Sequence, residues 1–211
     1  MQQDTTAPTP PPPVFAEPTP LGLLGLAVGC AALLPIAFGQ SLTPAGFRTA
    51  AVYCLLFGAG CQFLAGLMAL ANKNLLGGTL FTTFAFNWAV NYHVLSGLAE
   101  GRIPDPKIVL SIDLCFLIIF VVLTFAFGFF SKLLVAFLLD IDILFGARIL
   151  KELTHSTAFA LPIALATVAL AAIALYLAFA ILLNNAAGRT ILTIPGPLFR
   201  PGAPSAPTPA S

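Results

Sequence analysis

Long apolar stretches separated by short polar connections make up most of the sequence. Each stretch is close to the 20 or so residues that a helix needs to cross a hydrocarbon core of about 30 Å. The connections carry turn and helix-breaking residues, for example Pro104-Asp105-Pro106. Six membrane-spanning helices are predicted from this pattern, over residues 21–38, 47–71, 75–98, 108–130, 133–150 and 158–183.

Composition places these stretches in a membrane rather than in a water-soluble core. Of the 211 residues, 59% are hydrophobic and 8% are charged, against about 25% charged residues in typical soluble domains. Six core helices with so few charged residues would lack the polar surface that a soluble domain exposes. The runs are also continuous, whereas the strands of a membrane β-barrel alternate. The sequence therefore predicts an all-α integral membrane protein, a six-transmembrane-helix bundle.

The two ends differ from the rest of the chain. Residues 1–20 contain seven prolines and residues 195–211 contain six. Such compositions bury too little apolar surface to offset the entropy cost of ordering, so both ends are predicted to be disordered tails around a transmembrane domain of residues 21–194. Lysine and arginine divide five to four between the two sides of the predicted bundle, so the charge bias does not decide the orientation.

The motifs indicate no reaction chemistry. The chain has no Ser/His/Asp set with a nucleophile elbow, no HExxH and no glycine-rich phosphate loop. Its four cysteines lie inside predicted spans without a CxxC pair or a histidine cluster. We therefore expect neither an enzyme nor a metal or cofactor site, and the basic residues are too few and scattered for nucleic acid binding.

The third predicted span carries a polar stripe. Thr79, Thr83, Asn87 and Asn91 recur every four residues and so follow one face of the helix. Such a stripe can line a solute pathway; alternatively, its side chains bond to the backbone or to neighbouring helices. Thr82 on the same span and Gln62 in the middle of the second span are further pathway candidates.

Two aspartates, Asp140 and Asp142, lie near the centre of the fifth span without a basic residue within one turn. A charged carboxylate at the bilayer centre costs at least about 2.5–3.5 kcal/mol. Either the carboxyl group stays neutral or a water-filled cavity reaches it. Because residues two apart on a helix point about 200° from each other, at most one of them faces a given pathway, and the other is expected to meet a neighbouring helix or subunit.

Three segments resemble the acetate uptake transporters, a family that includes bacterial acetate/succinate permeases. The start of the first span, EPTPLGLLG, is similar to the family signature NPAPLGLxG through Pro18, Pro20, Leu21 and Gly22, with Glu17 in place of the leading asparagine. Residues 62–88 are similar to the family's second motif, and residues 176–196 resemble its C-terminal ending. The matching positions there are Gln62, Ala65, Gly66, Asn74, Gly77, Thr79, Phe81, Thr82, Trp88, Tyr176, Leu177, Ala178, Gly188, Arg189, Thr190 and Gly196.

The resemblance implies a hexamer with a pore through each protomer, cytoplasmic termini and a bacterial plasma-membrane location. It also implies a hydrophobic constriction, at positions that correspond to Leu26, Phe84 and Ile141. All three residues differ from the family's own. Phe84 replaces a tyrosine and so removes a hydroxyl, while Glu17 adds a negative charge.

The function expected from these features is a channel or proton-linked transporter for acetate and related small monocarboxylates, with succinate as a further substrate. Gln62 and the stripe from Thr79 to Asn91 would contact the solute, and Asp140 would take part in proton linkage. Two alternatives remain open at this point. One is a transport-inactive sensor or interaction protein of the same fold, and the other is a channel for a different small solute.

Overall fold

The computed structural model describes residues 12–200. Within this range every regular element is helical, which confirms the predicted all-α fold class. The six long helices are α1 (Thr19–Ala37), α2 (Pro44–Ala71), α3 (Leu75–Ala99), α4 (Pro106–Phe127), α5 (Lys132–Thr154) and α6 (Ala160–Ala187). The middle of α2, Cys54–Cys61, is π-helical, and a short 3₁₀ turn at Thr157–Phe159 precedes α6.

Polar residues in the connections start the helices. The side chains of Thr43, Asn74, Asp105 and Ser131 each accept a hydrogen bond from a backbone N–H in the first turn of the following helix, over 2.9 to 3.2 Å. These bonds satisfy N–H groups that have no partner inside the helix. The short connections between the apolar runs therefore act as caps, and each helix begins within a few residues of its predicted start.

Four helical segments in residues 12–200 are long and apolar enough to cross a membrane: Thr19–Ala37, Pro44–Ala71, Pro106–Phe127 and Thr157–Ala187. The remaining two long helices, α3 and α5, are more polar. α3 carries the threonine and asparagine stripe, and α5 carries two aspartates and an arginine. The six-span count therefore stays a prediction for α3 and α5.

Glycines bring α1, α2 and α3 into close contact. A Cβ atom added at Gly25 would lie 2.5 Å from the Phe57 carbonyl oxygen of α2, and one at Gly58 would lie 2.5 Å from the Trp88 ring. Such approaches are possible only without a side chain. Gly25 faces α2, and Gly29, one turn later, faces Trp88 on α3.

In contrast, α4 lies at the periphery of the bundle. Only 17% of its most apolar window is buried, against 44% for α1. Ile118, Val122 and Phe125 are more than 60% exposed on its outer face. Large apolar side chains on a continuous outer surface fit contact with lipid or with another subunit rather than with water.

Parts of both predicted tails pack against the ends of the helices. The Asn72 side chain exchanges two hydrogen bonds of 2.9 Å with the Phe15 backbone. At the other end, the N–H groups of Leu198 and Phe199 donate to the Gly128 carbonyl at 2.8 and 2.9 Å. The predicted tail boundary at residue 195 thus falls inside a segment that packs on the α4–α5 turn. The tail predictions for residues 1–11 and 201–211 lie outside the described residues.

Candidate functional site

A cavity of about 180 Å³ lies between α1, α3, α5 and α6. We call it the central cavity. It lies toward the ends of the helices that hold the C-termini of α1, α3 and α5. Its lining consists of Cys30, Leu33, Ile36, Ala37, Phe84, Asn87, Trp88, Asn91, Ile141, Leu144, Phe145, Arg148, Ile163, Thr167 and Leu170. Since a liquid water molecule takes up about 30 Å³, this volume can hold a small hydrated solute.

The deep end of the central cavity is apolar and tightly packed. Phe84 is 4% exposed and Ile141 is fully buried. The Phe84 ring also packs against Phe120 of α4, with 4.7 Å between ring centroids. Leu26, the third residue predicted at the constriction, lies about one helical turn before Cys30 on α1 and is 1% exposed. Phe84 and Ile141 therefore lie where the cavity closes, and Leu26 is in the packed region next to it.

The predicted polar stripe of α3 divides into two parts. Asn87 and Asn91 line the central cavity. Thr83 is partly buried and Thr79 is exposed on the surface of the chain, and neither is among the cavity residues. The geometry places only the C-terminal half of the stripe in contact with the cavity.

The Thr82 side chain bonds to the backbone of its own helix. This is the alternative given above for the polar residues of the third span. Its hydroxyl lies 2.8 Å from the Gly78 carbonyl oxygen, to which it donates. A Cβ atom added at Gly66 would lie 2.6 Å from the Thr82 methyl carbon. This side chain therefore supports the contact between α2 and α3.

Two buried polar atoms outside α5 have no hydrogen-bond partner among the described residues. They are the side-chain carbonyl oxygen of Gln62, a residue that is 1% exposed, and the indole N–H of Trp88. Buried polar groups are normally paired, so such atoms indicate a place where water or a solute supplies the missing partner. Trp88 lines the central cavity, whereas Gln62 is not among its lining residues.

The two aspartates of α5 face different surroundings, as helix geometry predicts. The Asp142 Oδ2 atom lies 2.7 Å from the Thr124 hydroxyl of α4, which lies 2.8 Å from the Phe120 carbonyl. The Thr124 hydroxyl has one proton, so it donates to the Asp142 carboxyl or to the Phe120 carbonyl, one at a time. Oδ2 of Asp140 and Oδ1 of Asp142 are both buried without a partner among the described residues, so Asp142 is bonded through one oxygen and Asp140 makes no side-chain hydrogen bond there. Neither aspartate is among the cavity residues, although both flank Ile141.

Sequence reasoning missed one charged group of the central cavity. Arg148 lines it and forms a two-pronged ion pair with Asp113 of α4, with Nη2 2.9 Å from Oδ1 and Nε 3.0 Å from Oδ2. The predicted span ended at residue 150, which placed Arg148 at the membrane boundary. The spacing of Ile141, Phe145 and Arg148 at i, i+4 and i+7 was the available signal, because it puts all three on one face of α5.

The family-motif residues at the start of α1 have structural contacts. Glu17 accepts a hydrogen bond from the Thr19 backbone N–H at 3.0 Å and also bonds the Thr19 hydroxyl. Pro18, Pro20 and Gly22 are buried, and Gly22 packs directly on the Phe81 ring. Leu21 is exposed. These residues begin α1 and fit it against α3.

Comparisons with known proteins place this geometry in a known architecture. No protein-family model matches the chain, and a search of curated proteins found no significant match. Among solved structures, the chain is similar to the structure of the bacterial acetate channel SatP, with a TM-score of 0.78 and 22% sequence identity. The match covers 85% of this chain and 99% of that chain. The chain has the fold of a bacterial acetate channel.

The similarity to SatP confirms the resemblance drawn from the three sequence segments at the level of the fold. The shared architecture extends over nearly the whole SatP chain, 99% of which is covered by the match. Within that fold, the central cavity is where this chain opens a space between four helices.

Proposed function

We propose that this protein is an integral membrane channel for small monocarboxylates, with acetate as the leading substrate. The central cavity is the observation that carries the proposal. Its walls carry the amides of Asn87 and Asn91 and the guanidinium group of Arg148, and its deep end closes on Phe84 and Ile141. The carboxylate end of a small acid can contact the polar wall, and its hydrocarbon end can contact the apolar wall. The SatP fold supports this assignment.

The hydrophobic constriction at Phe84 and Ile141 determines, under this proposal, which solutes cross the membrane. A hydrophobic constriction disfavours bare charge because it cannot replace lost water contacts. A small acid that keeps its proton, or whose charge is matched nearby, meets a lower barrier than a hydrated metal ion. Succinate, which carries two carboxyl groups, is a second substrate under this proposal, and it should cross more slowly than acetate.

The assembly proposed with this function has six spans per protomer, cytoplasmic termini and six protomers. In α3 and α5 the polar side chains lie partly on the cavity-facing surface, which explains why these helices are less apolar than the others. The exposed apolar face of α4 leaves a surface for lipid or for a neighbouring subunit. The number of subunits and the orientation of the protein in the membrane follow from the family resemblance and are part of the proposal.

Acetate uptake into liposomes that contain the purified protein tests the function. Cys30 lines the central cavity and Cys115 is exposed on α4. We expect Cys30→Phe to fill the cavity and reduce labelled acetate uptake toward that of protein-free vesicles, while the matched Cys115→Phe keeps normal uptake. Both variants must elute like the unmodified protein from a sizing column. Uptake by the unmodified protein no greater than that of empty vesicles would instead favour a transport-inactive sensor.

Competition experiments distinguish acetate from other small solutes. Lactate and succinate should reduce labelled acetate uptake because each has a carboxyl group for the same wall. Glycerol and ammonium should not. A stronger effect of glycerol or ammonium than of lactate would assign the channel to a different solute.

Proton linkage is tested at Asp140, whose buried Oδ2 atom has no partner among residues 12–200. If its carboxyl group is neutral during passage of the acid, ionisation at higher pH should repel acetate. We therefore expect Asp140→Asn to match the unmodified protein at acid pH and to exceed it at neutral pH. Identical acetate flux at every pH would remove Asp140 from the mechanism.

A further inference from the structure

The guanidinium group of Arg148 has two edges that can each bind a carboxylate. The first edge is formed by Nε and Nη2, and the second by Nη1 and Nη2. Asp113 occupies the first edge completely, through its two contacts of 3.0 and 2.9 Å. Within residues 12–200, no residue accepts a hydrogen bond from the second edge. Three N–H donors therefore stay available on a cation that lines the central cavity.

The surroundings hold this cation in place. The Asp113 side chain is 7% exposed, and that of Arg148 is 31% exposed. The Arg148 Cζ atom also lies 5.3 Å from the centroid of the Phe145 ring, on the same helix. A guanidinium group fixed by a buried carboxylate and an aromatic face loses little further freedom when it binds a ligand.

The two partners have different access to a solute. Arg148 is among the lining residues of the central cavity, and Asp113 is not. A solute therefore meets the positive member of the pair, while the negative member stays behind it among α4 side chains. Leu144 and Phe145 line the same part of the cavity and offer an apolar surface beside the charge.

We propose that the open edge of Arg148 binds the carboxylate group of the permeating solute, and that Asp113 is a positioning residue that presents this edge. This inference rests on the proposed function and assigns its anion-binding group. The ligand class is a small monocarboxylate, with its two oxygens toward Nη1 and Nη2 and its short apolar part toward Leu144 and Phe145. A neutral amide of the same shape lacks the charge and should bind much more weakly.

Trp88, the single tryptophan of the chain, provides a binding measurement that is independent of transport. It lines the same cavity, so acetate titration at constant ionic strength should change its fluorescence in a saturable way. The main variant combines Arg148→Gln with Asp113→Asn, which removes both charges and leaves no buried carboxylate unpaired. We expect its half-saturating acetate concentration to rise about tenfold or more, since hydrogen bonds to charged groups contribute that much to binding.

Acetamide and a second arginine serve as controls. The double variant should leave the weak acetamide titration unchanged, because the neutral amide does not depend on the charge. Arg102 pairs with Glu100 on the surface at 2.6 Å, with side chains 66% and 53% exposed. The corresponding Arg102→Gln and Glu100→Gln double variant should titrate with acetate like the unmodified protein.

The role of Asp113 has its own measurement. Asp113→Asn keeps the guanidinium group but weakens its fixed geometry, so the half-saturating acetate concentration for uptake should rise while the maximal rate changes little. The half-saturating acetate concentration should rise less in Asp113→Asn than in the double variant. A loss of maximal rate with unchanged half-saturation would assign Asp113 to folding alone.

Three results would overturn the inference. They are no saturable acetate binding by fluorescence or calorimetry, an unchanged acetate midpoint in the folded double variant, and equal shifts for acetate and acetamide. Acetate binding that depends on Arg148 together with no acetate uptake would instead reject the channel function and leave the binding site in place. The two proposals can therefore fail separately.

Discussion

The two halves of α1 are equally apolar and yet pack in opposite ways. Between Pro20 and Cys30 most residues are buried, whereas none is buried between Ala31 and Phe38. Gly22, Gly25 and Gly29 follow one face of the first half and touch α2 and α3. Leu33 and Ile36 continue the same face into the second half, where they line the central cavity.

This difference shows what opens a space in a helix bundle. In lipid, apolar side chains gain little by leaving the hydrocarbon, so helices associate where small residues allow close backbone contact. Further along the same face, leucine and isoleucine take the place of glycine, and their side chains line a cavity. The central cavity begins at that point, and Ile141 and Phe84 lie at the boundary between the packed half and the open half.

The largest effect is expected from a side chain introduced into the packed half. Gly25→Leu would place its Cβ atom against Cys61 and 2.5 Å from the Phe57 carbonyl oxygen. Overpacking costs about 1–3 kcal/mol even where side chains can adjust, and here a backbone atom blocks adjustment. We expect little monodisperse protein after purification.

Gly146 of α5 is the matched control, because a Cβ atom there meets no heavy atom within 4 Å in the described part of the chain. Gly146→Leu, the same substitution, should purify normally. Normal yield and thermal stability of Gly25→Leu would show that the close approach of α1 and α2 does not support the fold.

A smaller effect is expected from the same substitution in each half of α1. Leu26 is 1% exposed, whereas Leu33 is only partly buried beside the cavity. Leu26→Ala should lower the free energy of unfolding by about 2–5 kcal/mol. Leu33→Ala should lower it by about 1 kcal/mol or less, because its surroundings already leave space. Thermal unfolding in detergent measures both, and equal losses would contradict the division of α1 into two halves.

The smallest change in structure is expected at the boundary itself. Ile141→Val removes one methyl group at the point where the central cavity closes, at a cost of about 0.5–1.5 kcal/mol in stability. If this point limits passage, acetate flux per protein should rise by about two- to tenfold, which corresponds to at most about 1.4 kcal/mol of barrier. Unchanged flux in liposomes would place the rate-limiting constriction elsewhere.

Much of the fold could be predicted because apolar length and capping residues act locally. The third helix, predicted over residues 75–98, is Leu75–Ala99. The separation of Asp140 and Asp142 followed from helix geometry alone, and Asp142 does contact α4. The fifth helix was predicted to end at residue 150 but ends at Thr154. That one missing turn is why Arg148 was assigned to the membrane boundary.

The candidate site was harder to predict, because it depends on which helix lies opposite each face. The predicted stripe follows one face of α3, but only Asn87 and Asn91 lie where α1, α5 and α6 leave a space. Thr79 continues the same face at the other end of α3 and is exposed on the single chain. The periodic pattern contains no information on where along a helix its neighbours separate.

The sequence by itself determined the membrane environment, the helical fold class and the approximate helix bounds, because each depends on local composition and spacing. Only the tertiary structure decided the pairing of Asp113 with Arg148, which are 35 residues apart. The sequence shows which residues share one face of a helix, but the residues that this face contacts are decided only when the helices pack. The cation that the sequence placed at the edge of the membrane thereby becomes part of the central cavity.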